Sequence, residues 1–209
     1  MFWYFSALSC VLPALLGFIY KSRFSKSYYP LVYVLILAFF TELLAILSEL
    51  IEIPILKSSA YNVYIIVSYA LFLYFFVLLK VYQKNIAATF FLIVVLSNII
   101  ELMIIPRGNI MMFTSIFESI VITMGCLKII SQEIFTKGLL YHSFLSIVAF
   151  STIVLSLFDI FNSIIGYIVT LPYTLKYNIS IIYKTVNALY YLVLTFAFYR
   201  LIWKNKLSQ

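Results

Sequence analysis

"YYPLVYVLILAFFTELLAILSEL", residues 28–50, decides the fold. Glu42 and Glu49 are its only charged residues. A helix needs about 20 apolar residues to cross a hydrocarbon core about 30 Å thick. This run meets that length.

Six more runs of the same kind surround it, at 2–20, 61–83, 87–106, 110–131, 140–166 and 177–203. The whole chain of 209 residues is 65% hydrophobic and 10% charged, with a mean hydropathy of +1.12. Soluble domains average about 45–50% apolar and about 25% charged. No soluble fold of this size hides so much apolar surface, so the solvent is lipid. The alternation of a membrane barrel is missing, and helices are the other way to satisfy the backbone in hydrocarbon. The expectation is an all-α, polytopic membrane protein: a single integral membrane domain, 1–209, with seven transmembrane helices. The apolar N-terminal run precedes its positive charges, unlike a cleaved signal peptide, and reads as an uncleaved first span.

Basic residues orient the spans. Lys21, Arg23, Lys26, Lys80, Lys84, Lys128, Lys137, Arg200, Lys204 and Lys206 fall at one end of the bundle. Only Lys57, Arg107 and Lys176 fall at the other. Basic residues collect on the cytoplasmic side, so the expected topology is N-out/C-in. The net charge of +7 follows from this asymmetry, and no nucleic-acid partner is required. The expected location is an integral membrane protein of the bacterial inner (plasma) membrane.

A phrase recurs at the outer ends. "LSELIEIPIL" (47–56) and "LSNIIELMIIP" (96–106) both carry Leu-Ser, a Glu and a Pro. Ser156, Asp159 and Pro172 echo it more weakly. "YNVYIIVSY" from Tyr61 and "YNISIIYKT" from Tyr177 open two of the returning helices. The pattern suggests one leading helix followed by three out-facing helical hairpins. Proline as punctuation and interfacial Tyr-Asn are the plain alternative.

Charges inside the spans carry the functional signal. Glu42, Glu101, Glu118, Asp159 and Lys184 lie within them. Each costs about 2.5–3.5 kcal/mol at mid-bilayer on insertion scales, so they should face the bundle interior. Their positions all fall in the outer half of the membrane. Asn187 shares a helical face with Lys184, Asn98 with Glu101, and Asn162 with Asp159. Glu118 and Lys184 are expected to approach one another, with Asp159 as the rival partner. The candidate ligand- or ion-binding residues are Glu42, Glu101, Glu118, Asp159, Lys184 and Asn187, around an outward-facing polar cavity. Tyr69, Tyr74, Tyr183 and Tyr190 are deep enough to border it. Buried ion pairs fixing helix packing are the structural alternative.

Several chemistries find no support. Cys10 and Cys126 lie far from the one histidine, His142, which excludes the common zinc, haem and redox patterns. His142 reads as an inner interfacial residue. There is no HExxH motif, and an enzyme is not expected; a carboxylate pair acting on a lipid is the enzymatic alternative. Lys184 in the seventh span brings a retinal protein to mind, but the third span holds no acidic counter-ion. No cofactor and no metal are expected. The expected function is a non-enzymatic ligand- or ion-sensing subunit, which takes a small polar or cationic ligand from outside and signals through a protein partner at the cytoplasmic face. The alternatives are a small proton- or cation-coupled transporter and a membrane scaffold or assembly factor.

Overall fold

The backbone of a segment in lipid has no water to bond, so each span closes its hydrogen bonds within itself. The computed structural model describes residues 8–104, 112–137, 143–167 and 172–207, and the described residues form helices and short turns without a strand. The helices are α1 (Val11–Ile19), α2 (Tyr29–Leu50), α3 (Pro54–Leu78), α4 (Lys84–Ile104), α5 (Met112–Lys137), α6 (Phe144–Tyr167) and α7 (Tyr173–Leu207). Six of them, α2 to α7, are long and apolar enough to cross a membrane. The nine-residue α1 is not, and residues 2–7 of the expected first span lie outside the described residues, as does His142.

The third helix departs most from the expected limits. It starts at Pro54 rather than 61 and ends at Leu78 rather than 83. Proline suits the first helical turn, where its missing N–H has no partner to lose. That rule outweighs the polarity of Lys57, Ser58 and Ser59, which hid the start. At the far end Val81 N–H bonds Phe76 C=O (2.8 Å) and Lys80 N–H bonds Val77 C=O (3.0 Å). These are the two bonds of a Schellman stop, with Lys80 in the left-handed region at φ 58. The same stop ends α2, where Ile53 N–H bonds Ser48 C=O (3.0 Å) and Glu52 has φ 57. Ser48 Oγ also donates to Ile53 C=O at 2.6 Å, which ties the turn to the helix. Glycine is the residue that fits a left-handed stop without strain. Lys80→Gly is therefore expected to stabilise the protein by about 0.5–1 kcal/mol, after the extra unfolded-state freedom of glycine is set against the relieved strain. Thermal unfolding in detergent reads this as a Tm higher by roughly 1–4 °C.

The helices pack as a ring in the order α1, α2, α3, α5, α6, α7, closed by α7 against α1. The fourth helix stands outside the ring, against α3 and α5. The pairs α2–α3 and α6–α7 are close hairpins, but α5 packs far more extensively on α6 than on α4. The expected middle hairpin is thus an open one. Large apolar side chains such as Phe18, Leu92, Met103 and Phe150 point outward, as a lipid-facing surface requires.

The two ends of the ring differ. Toward the end carrying the α1–α2, α3–α4 and α5–α6 connections, aromatic side chains fill the interior. Phe24 and Phe144 meet Phe198 at centroid distances of 5.3 and 5.2 Å. Phe76 meets Phe75 at 5.8 Å and Tyr82 at 5.4 Å. The Tyr82 hydroxyl donates to Val121 C=O at 3.0 Å. This half is solid. Cys10 and Cys126 are buried, as small apolar side chains in a core.

Candidate functional site

The opposite end of the ring is hollow. The charged lining lies toward the α2–α3, α4–α5 and α6–α7 connections, while Val34 and Leu35 of α2, Phe72 of α3 and Thr152 of α6 carry the cavity past the helix midpoints. The helix α6 contributes Thr152, Ser156, Asp159 and Ser163, at intervals of four, three and four residues. That is the spacing of one face of a helix. From α5 come Ser115, Glu118 and Ser119; from α2, Thr41, Glu42 and Glu49. The start of α3 supplies Lys57, Tyr61, Tyr64 and Ser68, and α7 supplies Tyr183, Lys184, Asn187, Tyr190 and Tyr191. Together they enclose a cavity of about 460 Å³. This lies within the ~300–1,000 Å³ range of small-molecule sites.

Its deep part is lined by Val34, Leu35, Phe72, Ile122, Tyr190 and Tyr191, all buried. The rim carries Glu49 and Lys57, whose side chains are 45% and 32% exposed, and Lys57 Nζ bonds Glu49 Oε1 at 2.5 Å. The cavity thus reaches the surface at one end and stops at the aromatic core at the other.

Three carboxylates from three helices face this space, and each is held by a hydroxyl from a neighbouring helix. Tyr61 donates to Glu42 Oε2 at 3.1 Å. Ser68 donates to Glu118 Oε1 at 3.2 Å. Tyr183 donates to Asp159 Oδ1 at 2.7 Å. In each case the partner is bound through one carboxylate oxygen. An ionised carboxylate has about four acceptor sites on two oxygens, so the other oxygen of each keeps capacity for a ligand.

Of the residues singled out from the sequence, Glu42, Glu118, Asp159, Lys184 and Asn187 line the cavity. Glu101 does not. It is 4% exposed, and its carboxylate accepts from the N–H groups of Phe113 and Thr114, both at 2.9 Å, and from Thr114 Oγ1 at 2.8 Å. Unpaired N–H groups at a helix start draw an anion, and Glu101 is that anion for α5. The expected approach of Glu118 to Lys184 is also not formed. Glu118 bonds Ser68, its charged neighbour is Asp159, and the charges acting on Lys184 are Lys57, Glu49 and Glu42.

Of the deep tyrosines, Tyr183 and Tyr190 line the cavity. Tyr69 is wholly buried in the core and Tyr74 points outward. Sequence reasoning missed Tyr64, Ser68, Thr152 and Tyr191. Their signal was present as hydroxyls at helical spacing on otherwise apolar faces, which the search for charges passed over.

Neither a protein-family model, nor a curated protein, nor a solved structure matches the chain.

Proposed function

We propose that the chain is a receptor or sensor subunit of the membrane, which takes a small polar or cationic ligand into this cavity from outside. The observation that carries the reading is the blind shape of the site. Carboxylates from α2, α5 and α6 converge at one end of the ring, and an aromatic floor closes the way to the other. A route across the membrane would continue the polar lining through both halves. The basic residues gather at the solid end, so the positive-inside rule turns the cavity outward and the solid end to the cytoplasm. A partner there receives the signal. Its four acids and two bases give the lining a formal excess of negative charge, which favours a cation.

Two measurements test this. In intact cells, Ser59→Cys, at an exposed position near the start of α3, is expected to react with an impermeant thiol reagent. Ser208→Cys is expected to react only after permeabilisation. Labelling in the reverse sense sinks the orientation. In proteoliposomes carrying a pH gradient, the purified protein is expected to bind small organic cations without releasing them to the lumen. Accumulation inside would make it a carrier, the alternative that intramembrane acids favour.

A further inference from the structure

The cavity is electrically divided. On its α2–α3 side, Glu42, Glu49, Lys57 and Lys184 act on one another. Two acids and two bases there cancel in formal charge. On the α5–α6 side, Glu118 and Asp159 act on each other, and both lining bases belong to the first group. The two acids stand at similar depth. Glu118 is about 9 Å from the start of α5 and Asp159 about 12 Å from the end of α6 at 1.5 Å per residue. Each has one oxygen bonded, to Ser68 and Tyr183 respectively.

A second, independent feature lies deeper. Thr152 lines the same cavity, is 3% exposed, and its Oγ1 has no hydrogen-bond partner. The Tyr190 hydroxyl is its polar neighbour across the α6–α7 contact. A buried hydroxyl left unbonded is costly, and a ligand atom with hydrogen-bonding capacity removes that cost. Thr152 lies two turns below Asp159, about 10 Å along α6. Between the two levels the lining holds Ser156 together with the apolar side chains of Phe72, Ile122 and Leu155.

We propose that this half of the cavity takes an elongated primary amine, with its ammonium between Glu118 and Asp159 and a hydroxyl at its far end against Thr152. The inference rests on the reading of the cavity as a binding site and names its ligand class. An ammonium has three N–H donors and no acceptor, which suits two half-used carboxylates. Among the described residues no three metal-ligating side chains come together, and the cavity of about 460 Å³ is far larger than a bare ion needs. Phe72, Ile122 and Leu155 between the anchors suit a hydrocarbon or aromatic body.

The probe is tyramine, compared by calorimetry in detergent with phenethylamine, which lacks the hydroxyl, and tyrosol, which lacks the charge. Tyramine is expected to bind best. Glu118→Gln and Asp159→Asn are each expected to weaken tyramine about tenfold or more while changing tyrosol less than about twofold. Thr152→Val is expected to erase the preference for tyramine over phenethylamine and to spare phenethylamine itself. Retained tyrosol binding shows that a weakened variant is still folded. Equal binding of tyrosol and tyramine, or loss of tyramine on Glu42→Gln but not on Glu118→Gln, overturns the proposal and leaves the receptor reading standing. Binding of none of the three probes also overturns it. Proteoliposome uptake of tyramine would instead reject the receptor reading and keep the ammonium seat.

Discussion

Replacement of Glu101 by alanine is expected to lower the stability of the protein by about 3 kcal/mol, or roughly 6–12 °C in Tm, and to leave ligand affinity in the folded fraction unchanged. Three donors at the start of α5 converge on this one carboxylate, the N–H groups of Phe113 and Thr114 and the Thr114 hydroxyl. Alanine leaves the buried N–H and hydroxyl of Thr114 and the part-buried N–H of Phe113 without that acceptor, and a buried donor left unpaired costs about 1–3 kcal/mol. Glu101→Gln is expected to recover only part of the loss. An amide keeps one acceptor oxygen but turns an NH₂ toward the other donors. Aspartate keeps the charge on a shorter stem and should fall between alanine and the native residue. Thermal unfolding in detergent checks the order. A Glu101→Ala protein as stable as the native one would remove Glu101 from the α5 cap.

The second large effect is expected at Gly125. A Cβ placed there lies 2.6 Å from two ring atoms of Phe76. Phe76 cannot move aside cheaply, since it is fully buried and packed against Phe72, Phe75 and Tyr82. Overpacking of this kind costs about 1–3 kcal/mol. Gly125→Ala is therefore expected to reduce both Tm and the yield of folded protein. Phe76→Leu in the same chain opens the space, so the double variant should be more stable than additivity of the two single changes allows. Additive losses would show that the contact is not what limits the site.

The class of fold was legible because lipid leaves the backbone few choices, and composition alone identifies the solvent. The run 28–50 and helix α2 agree to one residue at the start. Limits failed where local chemistry overrode hydropathy. Pro54 starts α3 amid polar residues, and Lys80 stops it inside an apolar stretch. The acids of the cavity were legible because charge in hydrocarbon is rare and costly. What they pair with was not. The sequence expectation matched Glu118 to Lys184 by depth alone, yet depth does not give the angular position of a residue on its helix. Ring order places Glu118 beside Asp159, and the acids that act on Lys184 are Glu49 and Glu42. Glu101 misled for the same reason: α4 stands outside the ring, so an acid at a suitable depth on it serves the neighbouring helix start instead.

The last helix has a mechanical consequence. The 35 residues of α7 make a rod about 52 Å long, against a hydrocarbon core about 30 Å thick. Even at a tilt of about 40°, the upper end of the usual range, the rod outreaches that core by roughly 10 Å. Tyr183, about 15 Å from the start of the rod, is bonded to the cavity carboxylate of Asp159. From Tyr183 to Leu207 the lever arm is about 36 Å. A pivot of about 5° at the Asp159 tie would sweep the far tip through about 3 Å, close to the size of helix shifts that switch subunit interfaces. A stiff helix tied to the cavity at Tyr183 and longer than the hydrocarbon core is thick would turn a small pivot at that tie into displacement at its far tip.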